Sequence, residues 1–516
     1  MNEISYRVRR SLRELQDDYL GGQKKPLEDL MRAWKGIKEL PPDDPRSFFV
    51  LGGYHGEPFR GAGWGSAAYW GGYCNHGNVL FPTWHRVYLL KLEESLQSMP
   101  GCGEVMLPYW DETSDESLKN GIPWALTQED FVLDGQTIPN PLRSFVFTKS
   151  IKDNISEDNP DYSKPKGYET VRYPLSGLVG NEAERDKTKQ HNDQYPNYDD
   201  NVKLLDRNVV EWLTSQIVAH DKVIQTNVKE KYETCLDAPN YTVFSNTTSA
   251  AEWRENNDPS VVSLESPHNS IHLAVGGFDA PSQDDSPIEG ANGDMGENDT
   301  AGLDPIFFFH HCFVDRVFWL WQQRHDATDR LEIIAEYPGT NSVDSQGPTP
   351  GTVPNSWLTL ESPLNPFRKK QRGRVYTSLD CINIEKQLGY TYGPGSLEGN
   401  RLAAAFEQGH NSKVIRVSGI NRASIRGSFL ISAYAHIGGK RYHVGTEAIL
   451  SRWNVQGCAN CQTHLEAKAV FGLQRFQEQS LESARYEIEV RTRDGLLGQA
   501  EPLATFQKKP FRFDVG

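Results

Sequence analysis

The sequence predicts a helical core domain of about 392 residues followed by a β-rich domain of about 115. Three observations carry this reading. Apolar residues recur at helical spacing in several stretches up to residue 323. Segments rich in β-branched and aromatic residues, with partial alternation, cluster after residue 412. Between the two styles lies Tyr392-Gly393-Pro394-Gly395-Ser396, a run that breaks both helices and strands.

In chain order, residues 4–20 read as an amphipathic helix with Ile4, Val8, Leu12 and Leu15 on one stripe, and residues 26–39 continue in that style. A Gly-rich aromatic stretch from Gly52 to Gly72 interrupts the periodicity, which returns from Trp84 to Leu96. Residues 115–205 hold many Pro, Asn and Asp and read mainly as long loops. A helical pattern spans 206–231 through Val209, Val210, Trp212, Leu213, Ile217 and Val218. Residues 279–303 are loop-like, and Asp304 to Gln323 is apolar enough for a buried helix. Strands are expected at 413–417, 427–436, 441–446 and 484–492. The expected organisation is a core over 1–392, a linker over 393–400 and a tail domain over 401–516, with no internal repeat.

The net charge of −15 argues against a nucleic-acid binder and against an anionic-membrane binder. No apolar run reaches the roughly 18 residues of a membrane span. The N-terminus lacks a basic stretch followed by an apolar one, so no secretory signal is read and a cytoplasmic location is expected. Seven cysteines are too few for a disulfide scaffold. Small-molecule partners are expected, with homo-oligomer formation left open.

The chemistry lies in histidine placement. Seven of the 14 histidines fall into three contexts: His55, His76 and His85; His268 and His272; and His310 and His311. A lone histidine is more often a satisfied core residue than a ligand. His268 and His272, however, stand at i and i+4, on one face of a helix. His311 lies in the apolar stretch after Pro305, where an unpaired imidazole is costly. Neutral imidazole suits Zn, Cu, Fe and Ni. A set without carboxylates favours paired copper over hydrolytic zinc. The residues alone stop at a dinuclear, imidazole-bound metal site.

Longer motifs add to this. His76-Gly-Asn-Val-Leu-Phe-Pro-Thr-Trp-His85-Arg-Val-Tyr-Leu-Leu-Lys-Leu-Glu93 resembles the first copper signature of the tyrosinase family. Asp304-Pro-Ile-Phe-Phe-Phe-His-His311-Cys-Phe-Val-Asp315-Arg resembles the second, and His268-Asn-Ser-Ile-His272 matches the family's paired-histidine motif. The resemblance covers residues 45–392 well and the tail more loosely. It resembles bacterial and fungal tyrosinases with a C-terminal lid domain. It implies a four-helix bundle holding two coppers, followed by a β-sandwich-like domain. The first copper would take His55, His76 and His85; the second would take His268, His272 and His311, with His310 a non-ligand neighbour.

The same resemblance implies a Cys74–His76 thioether, Phe307 packed over the copper pair, and Asp315 and Arg316 orienting the helix around the ligands. Small phenols would be the substrates and O2 the co-substrate. Monophenols would be hydroxylated to o-diphenols, and these oxidised to o-quinones. A phenol has a pKa near 10, so hydroxylation needs help with its proton. In tyrosinases a Glu and an Asn hold a water for this, and Glu265 and Asn269 occupy those places beside His268. The alternatives are a catechol or o-aminophenol oxidase without monophenolase activity, and a haemocyanin-like oxygen carrier. The single, unrepeated copy of the motifs favours an enzyme.

Tyr390-Thr391-Tyr392 fits the family's closing motif, with Arg7 as the expected partner, and Trp110-Asp111-Glu112 departs from the usual Trp-Asp-Trp. The tail resembles a lid that keeps relatives latent, with Ile449, Leu450 and Trp453 as candidates for the inserted side chain. Cys458 and Cys461 form the one C-x-x-C pair, read either as a copper-loading site or as a disulfide or thiol pair.

Overall fold

The computed structural model describes residues 6–56, 72–153, 162–219, 222–225, 227–281, 293–344, 349–370, 373–399, 413–453, 466–497 and 511–516. Cys458 and Cys461 lie outside this set, as does Ile4. Among the described residues no helix is long and apolar enough to cross a membrane.

Four helices surround the histidines. Phe81–Gln97 packs against Ile306–Arg324, and Glu265–Gly276 packs against both Tyr198–Thr214 and Ile306–Arg324. Pro82 opens the first of these, where the missing amide hydrogen costs nothing. Ile306–Arg324 is buried on every side from Ile306 to Trp319. Its all-round apolar sequence therefore needs neighbours on every face. Lys25–Glu39 covers Phe81–Gln97 from outside.

The expected helix over 4–20 forms only from Leu12 to Leu20. Arg7–Arg9 is instead a short parallel strand on Tyr390–Tyr392, and Val8 points outward, 41% exposed. The partner of the closing motif is Arg9, not Arg7. Its guanidinium lies 3.7 Å from the Tyr390 ring centroid and donates to the Tyr392 hydroxyl at 3.1 Å and to Glu93 at 2.9 Å. Arg7 sits opposite Tyr390 in the ladder but is exposed.

Two further readings are corrected. The pattern over 206–231 is the end of helix Tyr198–Thr214, a hairpin of Gln216–Ala219 with Lys222–Gln225, and helix Val228–Cys235. Residues 115–205 contain helices Asp115–Asn120 and Glu182–Asn192 as well as loops.

The tail is a sandwich. One sheet orders Glu466–Gly472, Val414–Asn421 and Arg512–Val515; the other orders Lys440–Ile449, Phe429–Ile437, Arg485–Thr492 and Gly495–Leu496, all antiparallel. Ile415, Val417, Phe429, Ile431, Ile488 and Phe513 share the core between them. Leu430, Ala448, Leu450 and Trp453 belong to the core of the helical domain. The Phe429–Ile437 strand is thus buried on both faces, and the tail is docked. Residues 393–398, read as linker, are held on the core: Tyr109 donates to the Pro394 carbonyl at 2.6 Å, and Ser396 N donates to Asp111 at 2.8 Å.

Asp315 ties the frame together. Buried, it accepts from Arg86 at 2.6 Å and from the hydroxyls of Tyr390 and Tyr392, each at 2.7 Å. Asp315→Ala strands the buried Arg86 cation and is expected to lower stability by about 3–5 kcal/mol. Arg7→Ala should change it by less than about 0.5 kcal/mol. Denaturant unfolding midpoints check both, and similar midpoints for the two variants would refute this account of the frame.

Candidate metal centre

Five local devices deliver the seven histidines. His55 follows the helix Phe48–Gly53, whose first turn is capped by Ser47 accepting from Val50 N. His76 sits in a tight turn between Asn75 (φ 54°) and Gly77 (φ 73°), where the left-handed backbone swings the chain toward Phe81–Gln97. His85 lies in that helix, His268 and His272 on one face of Glu265–Gly276, and His310 and His311 on Ile306–Arg324.

These residues form two groups. The ligand atoms of His55, His76 and His85 all lie within 4.8 Å of one another, as do those of His268, His272, His310 and His311. The groups face each other: His85 stacks on His311 with centroids 4.4 Å apart, and His76 lies 5.4 Å from His268. Phe307 bridges them, 4.0 Å from His311 and 4.8 Å from His55. His310, expected to stand outside the ligand set, falls within the second group.

Most rings are fixed through Nδ1. Those of His55, His85 and His272 donate to the carbonyls of Asn298 (3.0 Å), Phe81 (2.9 Å) and Met295 (2.8 Å). His268 Nδ1 meets Asn269 Oδ1 at 2.9 Å, and His310 Nδ1 meets Glu112 Oε1 at 2.5 Å. Such partners set the tautomer and leave the Nε2 lone pair free. Burial holds every one of the seven imidazoles below its usual pKa, with His85 and His310 pushed down to about 3. Neighbouring imidazoles add to this for all but His310. The rings are therefore neutral donors at ordinary pH.

Their free nitrogens fit a metal. Nε2 of His55, His85 and His310 and both nitrogens of His76 have no hydrogen-bond partner. Nε2 of His311 lies 3.1 Å from that of His268 and 3.2 Å from that of His272. Two imidazole nitrogens each about 2.0–2.1 Å from one tetrahedral ion would stand about 3.3–3.4 Å apart. Unsatisfied buried nitrogens are costly without such an ion.

The other expected residues are close by. Glu265 is buried; its Oε1 accepts from Gly77 N at 2.8 Å, and its Oε2 from Thr247 N at 2.8 Å and Thr247 Oγ1 at 3.0 Å. Burial raises its pKa. Cys74 is buried with its Sγ 3.8 Å from Asn298 Oδ1. Arg316 touches none of the imidazoles in its hydrogen bonds and holds residues 393–398 instead. Ile449 packs inside the sandwich, whereas Leu450 and Trp453 face the helical core. Glu112 escaped sequence reasoning, although a carboxylate after the apolar Leu107-Pro-Tyr-Trp110 run was a signal that something there needs a partner.

Comparison with known proteins agrees with this geometry. Residues 45–324 match the family model for the common central domain of tyrosinase. A tyrosinase of Hahella sp. is 55% identical, covering 94% of this chain and 92% of its own length. A tyrosinase of Aspergillus oryzae is 45% identical, covering 91% and 89%. The solved structure of a Burkholderia thailandensis tyrosinase superposes with a TM-score of 0.87 at 52% identity, covering 99% of this chain and all of that one. Its histidine clusters and its likeness to these enzymes along almost the whole chain make this protein a member of the tyrosinase family of copper-dependent oxidases.

Proposed function

We propose that the chain hydroxylates monophenols to o-diphenols and oxidises o-diphenols to o-quinones, and that its tail keeps it latent. The observation that carries the first part is the placement of Glu265 and Asn269 on the helix that bears His268 and His272. His55, His76 and His85 would hold one copper, and His268, His272 and His311 the other, with His310 a non-ligand neighbour tied to Glu112. Two coppers bound there supply the two-electron chemistry of O2. Over a full turnover, one monophenol and one O2 give one o-quinone and one water.

The chain's own residues do the rest. Five Nδ1 contacts hold the imidazoles in one tautomer, and Phe307 limits their movement. Glu265 Oε1 accepts one hydrogen bond and keeps a lone pair for a water. Its raised pKa brings it nearer the range of a working base. Asn269 aligns His268 beside that water. Cys74, read as a thioether to His76, would pin the one ring whose nitrogens have no partner.

Latency is supported by Leu430, Ala448, Leu450 and Trp453, which the docked tail buries against the helical core. Glu447 anchors the seam: it accepts from Arg254 at 2.7 Å and from Ser266 at 2.8 Å, with Lys231 Nζ 3.9 Å away. Burial alone would raise its carboxyl, but Lys231 and Arg254 outweigh burial and pull it down to about 2. A depressed carboxylate contributes docking strength that is fully present above its ordinary value of about 4.5 and is lost as pH falls toward 2.

Three outcomes follow from this reading. Copper-loaded protein should carry two coppers per chain, and its polypeptide, denatured and stripped of metal, should weigh two hydrogens less than its sequence, the S–H and ring C–H of Cys74 and His76 having given way to an S–C bond with O2 as oxidant; His85→Ala should lose at least one copper, and full loading of that variant refutes the assignment. Glu265→Gln should lower the ratio of monophenol to diphenol turnover by about 10²-fold, read by oxygen uptake on tyramine against catechol; an unchanged ratio excludes the water role. Acid pretreatment between about pH 4.5 and 2 should activate the intact chain, and Glu447→Gln should raise activity before any acid step. An acid-activation curve identical in the two proteins would remove Glu447 from the latch.

A further inference from the structure

We propose that the segment Asp294–Thr300 couples docking of the tail to the geometry of the histidine groups, so that the tail restrains the copper ligands as well as covering them. This rests on the reading that the two groups hold copper.

On its inner side the segment holds one ring from each group. The Met295 carbonyl accepts from His272 Nδ1 at 2.8 Å, and the Asn298 carbonyl, three residues on, accepts from His55 Nδ1 at 3.0 Å. The Asn298 side chain also meets Cys74 Sγ, two residues before His76, at 3.7–3.8 Å. One residue therefore touches two members of the first group's surroundings.

On its outer side the same segment takes the tail. Asp299 accepts from Arg452 at 3.1 Å and from Trp453 N at 3.0 Å, and Asn298 N donates to the Ser451 carbonyl at 3.4 Å. The Arg452 guanidinium also donates to the carbonyl of Gly56, the residue after His55. Asp299 and Arg452 are both buried. Arg452 thus clamps the segment to the chain on the far side of His55.

The two ends of the segment are anchored differently. Asp294 is held by the core: it accepts from the Tyr168 hydroxyl at 2.7 Å and from Val171 N at 2.8 Å, and Lys164 lies 3.5 Å from both Asp294 and Glu297. Gly296 packs so closely on Gly276 that a Cβ on Gly276 would come within 1.8 Å of Gly296 N. The Met295 end is thus held by core contacts that the tail does not supply. The tail's hydrogen bonds fall at the Asn298–Asp299 end, while its Arg493 cation also faces Glu297. Release of the tail therefore loosens His55, in the first group, more than His272, in the second. Linkage makes the effect reciprocal: copper that fixes His55 must tighten the tail by the same factor.

The test uses the intact, copper-loaded chain and follows copper release to a chelator, together with amide exchange at Trp453 in the loaded and metal-free forms. Asp299→Asn and Arg452→Gln approach the contact from its two sides, and Arg452→Lys keeps the charge. Glu255→Gln is the control, since it removes a tail contact with Arg416, at 3.2 Å, that is remote from the segment.

One of the two coppers should leave about tenfold faster in Asp299→Asn and in Arg452→Gln, the size of effect usual for groups that orient metal ligands. Arg452→Lys should fall nearer the unmodified chain, and Glu255→Gln should match it. Copper should slow Trp453 exchange in the unmodified chain and lose that effect in Arg452→Gln. Equal acceleration in Glu255→Gln would mean general loosening and overturn the coupling, as would unchanged release in both clamp variants. An unmodified chain that binds no copper overturns the functional reading and this inference with it. Two coppers held without any response to the clamp overturns the inference alone.

Discussion

Seven imidazoles buried together must all be neutral, and much of the site follows from that constraint. A charged ring there would lack water and face other rings, so burial and mutual repulsion keep the protons off. A neutral imidazole still carries one N–H that needs an acceptor. The protein meets this need mostly with backbone carbonyls, of Phe81, Met295 and Asn298, and with the side chains of Asn269 and Glu112. Once Nδ1 is occupied, the lone pairs can only point inward. For these five rings the metal-ready geometry is what remains once Nδ1 has its partner; His76 and His311 have no such partner on Nδ1.

The frame has to hold those rings to within fractions of an ångström, and it does so from one turn away. Asp315 lies four residues beyond His311 on the same helix, and it gathers Arg86, one residue after His85, together with the closing tyrosines. One carboxylate therefore ties the His85 helix to the His311 helix. The two histidine groups are nonetheless unequal. The second has a fourth ring backed by Glu112, whose pKa burial raises well above the usual carboxylate range. The first relies on a turn and on a segment that the tail also touches.

Much of this was legible in the sequence where spacing and chemistry coincide. His268 and His272 at i and i+4, and His311 in a long apolar run, were readable because a helix converts spacing into a shared face. Val8, Leu12 and Leu15 fit a helical stripe equally well, yet Arg7–Arg9 is a strand, because Tyr390–Tyr392 supplies a ladder that local pattern cannot reveal. The helix Glu182–Asn192 carried a readable signal in Asn181 and Glu184, which form a capping box, but its polar composition masked it. Ile217 and Val218 fit a helix by period alone, but β-branched neighbours after a helix end suit a hairpin as well. The carbonyls that orient His55 and His272 have no signature at all, since every residue carries one.

The tail shows why a cover can be both specific and releasable. Along Phe429–Ile437 the strand period sends Phe429, Ile431 and Ala433 into the sandwich and Leu430 into the helical core. Around that apolar contact stand charged pairs: Glu447 with Arg254, Glu230 with Arg475, and Asp299 with Arg452. Pairs of this kind add little net stability, because separating them returns both ions to water. They penalise any other alignment heavily, because a displaced register would bury a charge without its partner. A wholly apolar seam would be tight and tolerant of slippage, like an ordinary domain interior. A seam with few apolar anchors and several ion pairs is exact in register yet separable, and the Glu447 carboxylate gives it a dependence on acidity that apolar burial lacks.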